Sequence, residues 1–190
     1  VAHRAAIGLI VLATDQTMEH EVRRLIRLDG VAVYHARLYN DADITPASLR
    51  AMRELIAPAT ALILPGLKLD VVAFGCTSAS MELGEAEIAR QIHAARPGVA
   101  CTNPATAAFA AFAALGARRI GVLTPYSAEV NANVRAYLTR GGTEVAAFGT
   151  FLKQDDRGAA RISPASVAAG VRALAEATRL DAVFVSCTSL

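Results

Sequence analysis

The stretch Asp70-Val-Val-Ala-Phe-Gly-Cys76-Thr77-Ser78 recurs later in the chain as Asp181-Ala-Val-Phe-Val-Ser-Cys187-Thr188-Ser189. Each copy is an apolar run, typical of a buried parallel strand, followed at once by a thiol and two hydroxyls where a strand gives way to a loop. The repetition places Cys76 and Cys187 at equivalent positions of two similar units. It therefore predicts two α/β lobes that each present one Cys-Thr-Ser loop, which could face a shared cleft.

A second repeat supports this duplication. The segment Ile7-Gly8-Leu9-Ile10 recurs as Ile120-Gly121-Val122-Leu123, in the same order and at nearly the same offset. The expected fold is α/β, with two Rossmann-like lobes whose parallel sheets are related by pseudo-two-fold symmetry and enclose the active site. We assign residues 1–116 to the N-terminal lobe and 117–190 to the C-terminal lobe. The second lobe has fewer elements than the first, so the sequence is expected to be C-terminally incomplete.

Predicted strands and helices alternate along both lobes. In the first lobe the patterns predict strands at 7–13, 31–38, 70–75 and 99–102 and helices at 18–27, 46–57, 82–95 and 105–115. In the second they predict strands at 119–124, 144–150 and 182–187, helices at 128–139 and 165–178, and a polar loop at 153–161. Such alternation indicates parallel sheets with right-handed crossovers, in which ligands bind beyond the carboxyl ends of the strands. Those ends carry small polar residues: 14–17, 76–78, 124–127 and 187–189.

Composition excludes several classes of protein. The chain is 54% hydrophobic and 19% charged, which is ordinary for a globular protein, and its net charge of +2 comes without a large basic cluster that would favour nucleic acid. Its apolar runs are shorter than the roughly 18 residues of a membrane span, and no signal-peptide pattern begins it, so we expect a cytoplasmic protein without membrane or nucleic-acid partners. The three cysteines form no CxxC pair, which argues against a disulfide framework and a zinc site.

The two repeated cysteines are the candidate reactive groups. A cysteine at a helix N-terminus is expected to have a lowered pKa and to react as the thiolate. Two thiols that face each other across a bound carbon can act as base and acid, or as nucleophile and acid. Cys101 has no counterpart in the repeat and is expected to be a packing residue. No GxGxxG loop follows a strand, so no cofactor is predicted.

The loops together resemble a known family. The segments Thr14-Asp15-Gln16-Thr17, Phe74-Gly75-Cys76-Thr77-Ser78, Leu123-Thr124-Pro125-Tyr126 with Asn131, and Val185-Ser186-Cys187-Thr188-Ser189 are similar to the aspartate/glutamate racemase superfamily. Within it they resemble the branch of maleate cis-trans isomerases and arylmalonate decarboxylases, including the ectoine-utilisation relatives. The resemblance implies a homodimer or higher homo-oligomer, to which the Ala-rich helix at 105–115 could contribute.

The resemblance also implies roles for individual residues. Cys76 would be the nucleophile that adds to the double bond of a substrate such as maleate, and Cys187 the acid that protonates the neighbouring carbon. The substrate-binding residues would be Asp15, Thr17, Thr77, Ser78, Tyr126, Asn131 and Thr188. Arylmalonate decarboxylases keep only the second cysteine, so Cys76 speaks against that activity.

One position departs from the family pattern. Maleate isomerases have an Asn where this chain has Asp15, and an ionised carboxylate there would repel a dicarboxylate substrate. The paired cysteines and the resemblance leave three hypotheses for the function. They are a two-thiol isomerase of a small carboxylic acid, an amino-acid racemase that uses the same thiols, and a non-catalytic ligand-binding protein. An ammonium or hydroxyl group on the substrate would suit Asp15 better than a second carboxylate.

Overall fold

The fold is described from a computed structural model that covers residues 1–190. The N-terminal half contains β1 (Ala5–Leu12), α1 (Met18–Leu25), β2 (Val31–Leu38), α2 (Pro46–Ala51), α3 (Arg53–Leu62), β3 (Val71–Phe74), α4 (Thr77–Leu83), α5 (Glu85–Ala95), β4 (Ala100–Thr102) and α6 (Pro104–Leu115). The C-terminal half contains β5 (Arg119–Thr124), α7 (Ala128–Arg140), β6 (Glu144–Thr150), α8 (Asp156–Ala159), α9 (Pro164–Ala177) and β7 (Ala182–Val185).

The strands form two parallel sheets with matching topology. The first sheet has the order β2-β1-β3-β4 and the second the order β6-β5-β7, with every pair parallel. In each lobe the first strand therefore lies between the second and the third. This arrangement confirms the predicted α/β fold with two similar lobes.

The repeated aspartates have the same structural role in both lobes. The Asp70 carboxylate accepts a hydrogen bond from the backbone N–H of Ala6 at 2.8 Å, and the Asp181 carboxylate accepts one from Arg119 N at 2.8 Å. Each aspartate precedes the third strand of its lobe and binds the start of the first. These contacts align the start of each central strand with the start of the neighbouring strand that leads to a cysteine. They thereby help to set where each cysteine lies.

The two sheets share one hydrophobic core. Buried side chains from both, including Ile10, Phe74 and Ile120, belong to the same cluster. The ring of Phe112 on α6 packs edge-on against Phe184 of β7, with centroids 5.9 Å apart. The division at residues 116 and 117 falls between the sheets, but as a boundary between domains it stays a prediction. No helix of the structure has the length and apolarity to cross a membrane.

Three predicted segments differ in detail. The helix predicted at 82–95 corresponds to α5, and a separate helix, α4, which was not predicted, precedes it and ends at Gly84, where a φ of +84° interrupts the helical backbone. The helix predicted at 46–57 is also divided, at Met52 between α2 and α3. The polar loop predicted at 153–161 contains the short helix α8, which Asp155 caps by accepting a hydrogen bond from Gly158 N.

Candidate active site

Equivalent backbone contacts place the two cysteines. Gly75 N donates to Ile10 O at 2.8 Å, and Ser186 N donates to Leu123 O at 2.8 Å. Each bond ties the residue before a cysteine to the central strand of its lobe, so Cys76 and Cys187 both lie just beyond the sheet. A Cβ at position 75 would lie 2.8 Å from Ile10 O, which explains the glycine there.

A cleft between the lobes is lined by both cysteines. About 280 Å³ of empty space lies within it, part of it open to solvent. Seven of the nine predicted site residues line it, joined by four others. The lining residues are Leu12, Thr14, Asp15, Cys76, Thr77, Ser78, Tyr126, Asp156, Cys187, Thr188 and Ser189.

The thiols differ from the sequence-based expectation in their acidity. Burial raises the pKa of Cys76 to about 12, although hydrogen bonds from Ala79 N and the Ser78 hydroxyl oppose this. The Ser78 oxygen lies 3.7 Å from the Cys76 sulfur. The predicted lowering of the cysteine pKa is therefore wrong for the ligand-free protein, because loss of hydration outweighs the amides at the start of α4.

Cys187 is half-buried and similarly affected. Burial raises its pKa to about 11, while the backbone N–H of Ser189 and the Tyr126 hydroxyl favour the thiolate. Ser189 N lies 3.4 Å from the Cys187 sulfur. Tyr126 is itself buried, and its pKa is raised well above its usual value, so it stays a neutral hydrogen-bond donor. At neutral pH both thiols are mainly protonated.

The Asp15 carboxylate lines the cleft and also holds its own loop. Oδ1 accepts hydrogen bonds from Thr17 N at 2.9 Å and Met18 N at 2.8 Å, and Oδ2 lies 3.5 Å from the Thr188 hydroxyl. The carboxylate thus satisfies backbone N–H groups at the start of α1. An asparagine could make the same two Oδ1 contacts without the charge.

Asp156 is a cleft residue that sequence reasoning missed. It is 8% exposed and is the first residue of α8. Its Oδ2 accepts hydrogen bonds from the Thr14 hydroxyl and, at 2.9 Å, from Asn40 Nδ2. Burial raises its pKa, which these two hydrogen bonds partly offset. No motif marks this aspartate within a polar loop.

Two predicted substrate-binding residues do not line the cleft. The Thr17 hydroxyl donates to Thr188 O at 2.8 Å and so joins the two lobes. Asn131 is buried behind the cleft, where its Nδ2 donates to Tyr126 O at 2.9 Å. Their polar groups are used in contacts with the protein, and a role for either residue in substrate binding stays a prediction.

Cys101 lies outside the cleft. Its sulfur is 3.4 Å from His93 Nε2, next to β4 at the edge of the first sheet. It is half-exposed, and burial raises its pKa. No group of three or more His, Cys, Asp or Glu side chains is arranged to hold a metal ion.

The fold and cleft define a two-lobed α/β protein with one cysteine from each lobe at the site. The sequence profile of the family described as arylmalonate decarboxylase matches residues 7–190. The chain therefore belongs to this family, within the Asp/Glu racemase-like superfamily. No curated protein sequence gives a significant match.

Solved structures of two kinds of enzyme share the fold. A variant of Nocardia farcinica maleate cis-trans isomerase with a covalently bound succinylcysteine intermediate has a TM-score of 0.85 at 23% identity, covering 97% of this chain and 79% of that one. A variant of Pseudomonas putida S16 maleate isomerase with maleate has a TM-score of 0.78 at 20% identity, covering 98% and 79%. A double variant of arylmalonate decarboxylase in liganded form has a TM-score of 0.83 at 24% identity, covering 98% and 79%.

Proposed function

We propose that this protein is a cofactor-independent isomerase of a small carboxylic acid, acting through Cys76 and Cys187. The observation that carries the proposal is that both thiols line one small cleft, each from the equivalent strand end of its lobe. Neutral hydroxyls of Thr77, Ser78 and Thr188 surround them and can bind a substrate carboxylate.

The proposed reaction is a cis–trans isomerisation. Cys76 first loses its proton to solvent. Its thiolate then adds to one carbon of the double bond, and the electron pair of that bond takes the Cys187 proton at the neighbouring carbon. Rotation about the new single bond follows. Cys187 then removes the other hydrogen of that carbon, which the rotation has brought to face it, the double bond re-forms, and the carbon–sulfur bond breaks to release the Cys76 thiolate. The succinylcysteine intermediate of the Nocardia farcinica enzyme is an adduct of the kind this sequence of steps requires.

Cys76 disfavours the decarboxylase alternative. By resemblance, arylmalonate decarboxylases lack the first cysteine, whereas here it is buried in the cleft wall. A decarboxylase would need only one thiol to protonate the carbanion left by loss of CO₂.

An amino-acid racemase is the second candidate. Asp15 and Asp156 both line the cleft, and carboxylates suit the ammonium group of an amino acid. One thiolate would remove the α-proton while the opposite thiol delivers another to the other face, with no covalent adduct.

Proton NMR in D₂O on a panel of acids separates these functions. The panel contains maleate, aspartate, glutamate, hydantoin-type acids and ectoine-derived acids. Appearance of a trans product identifies the isomerase, and deuterium at the α-carbon of an amino acid identifies the racemase. No turnover of any member, with thiol alkylation unaffected by the acids, would support a ligand-binding protein instead.

A further inference from the structure

The two cavities that meet at Cys76 have an acidic lining. The cleft described above shares Leu12, Cys76, Ser78 and Asp156 with a neighbouring cavity of about 240 Å³ beside α2. The two linings together contain four aspartates and no Lys, Arg or His. These aspartates are Asp15, Asp41, Asp43 and Asp156.

Asp156 lies where the two cavities meet, held there by the opposite lobe. Its backbone N–H donates to Ala42 O at 3.2 Å, and Ile44 N donates to Gln154 O at 2.8 Å, so the loop before α8 is bound to the loop before α2. The hydrogen bonds from Thr14 and Asn40 fix the carboxylate itself.

One oxygen of Asp156 remains available. Both protein donors bind Oδ2. Oδ1 makes no hydrogen bond within the protein, and it is not completely buried. A carboxylate oxygen only accepts hydrogen bonds, so it favours a donor on the ligand and opposes a second carboxylate.

The guanidinium of Arg37, which binds the loop that carries Asp15, does not line the cleft. Arg37 Nη1 donates to the backbone carbonyls of Leu12, Ala13 and Asp15, and its Nε pairs with Glu19 at 3.1 Å. Arg37 therefore binds the backbone of the loop that follows β1, and it lines neither cavity.

We infer that Asp156 is a specificity-determining residue that selects an acid with one carboxylate and one hydrogen-bond donor, an amide, ammonium or hydroxyl, over a dicarboxylate. The inference rests on the proposed function, since it concerns the substrate of the same cleft. The carboxylate lies against the hydroxyls of the Cys-Thr-Ser loops, and the donor lies against Asp156 Oδ1.

Maleate and maleamate test this directly, because they share a cis four-carbon skeleton. Maleate carries two carboxylates, whereas maleamate carries one carboxylate and one amide. Binding is measured by calorimetry on the Cys76→Ala protein, which cannot form an adduct, so the result does not depend on turnover. We expect maleamate to bind at least about tenfold more tightly than maleate, since one close like-charge contact is absent. Equal binding, tighter binding of maleate, or no binding of maleamate would overturn the inference.

A second variant assigns the preference to Asp156. In the same background, Asp156→Asn should strengthen maleate binding about tenfold and reduce the preference for maleamate by about the same factor. Glu176→Gln removes one charge from the exposed surface of α9 and should leave the ratio unchanged. An unchanged ratio in folded Asp156→Asn would overturn the role of Asp156. If that variant does not fold, the ratio is measured instead in Asp15→Asn, which keeps Asp156: a preference for maleamate that persists there supports the inference, and equal binding overturns it. Failure of the proposed function would appear separately, as no isomerisation of either acid by the protein with both cysteines.

Discussion

Cys76 at the end of β3 and Cys187 at the end of β7 line the same cleft, and charge on Cys187 contributes to the raised pKa of Cys76. This arrangement results from duplicated topology, since each cysteine follows a strand that pairs with the central strand of its lobe. Two thiols that influence each other's ionisation can exchange the roles of base and acid within one reaction.

The first prediction concerns thiol reactivity and pH. Burial raises the pKa of Cys76 to about 12 and that of Cys187 to about 11, and only thiolates react with iodoacetamide. In a Cys101→Ser background, the alkylation rate should therefore rise about tenfold per pH unit from pH 7 to beyond pH 9. Mass spectrometry of the modified peptides gives the rate at each cysteine. A plateau below about pH 8 would contradict the raised pKa values.

The second prediction concerns Asp15. Asparagine keeps an oxygen acceptor for Thr17 N and Met18 N, so Asp15→Asn should fold normally. Removing the charge should strengthen maleate binding about tenfold and weaken a ligand with an ammonium group. Calorimetric titration of maleate into both proteins measures the change. Identical maleate affinities would show that Asp15 does not face the ligand.

The third prediction concerns stability. The pKa of Asp156 is raised in the folded protein, chiefly by burial, so the folded state binds more protons than the unfolded state between the ordinary carboxyl pKa and the raised one. The contribution of Asp156 to the free energy of unfolding therefore falls as the pH rises through that interval. Urea unfolding should show Asp156→Asn gaining stability relative to wild type from pH 4 to pH 7, whereas Glu176→Gln should not. If the stability of Asp156→Asn relative to wild type were instead greater at pH 4 than at pH 7, the prediction would be contradicted.

The sequence was sufficient for the parts of the structure that depend on local pattern and repetition. The Asp-to-Ser repeat located both cysteines, and the helix predicted to begin at residue 46 does begin there, at Pro46. Asp156 could not be found this way, because its position depends on Thr14 and Asn40 from the other lobe. The cysteine pKa values were misjudged for a similar reason, since burial depends on the whole fold. Helix α4 was missed because Thr77-Ser78-Ala79-Ser80 lacks the spacing of an amphipathic helix and is buried on all sides.

The fourth prediction concerns assembly. On α6, Ala107, Ala110, Ala111 and Ala114 are exposed, and small side chains allow close approach of a second helix. We propose a homodimer or higher oligomer that uses this face. Ala110→Glu should then shift sedimentation toward the monomer, while Ala173→Glu on exposed α9 should not. Wild-type protein that sediments only as a monomer would refute the proposal.

The central claim is that Cys76 and Cys187 act together on one substrate, and the most direct test is turnover by single cysteine variants. With the best acid of the panel, the account predicts that Cys76→Ala and Cys187→Ala each lose at least about a thousandfold in kcat/KM, as expected for groups that act as a unit. Cys101→Ser, the matched control outside the cleft, should retain nearly full activity. Activity that survives in Cys76→Ala or Cys187→Ala at more than about a tenth of the wild-type value would contradict two-thiol catalysis.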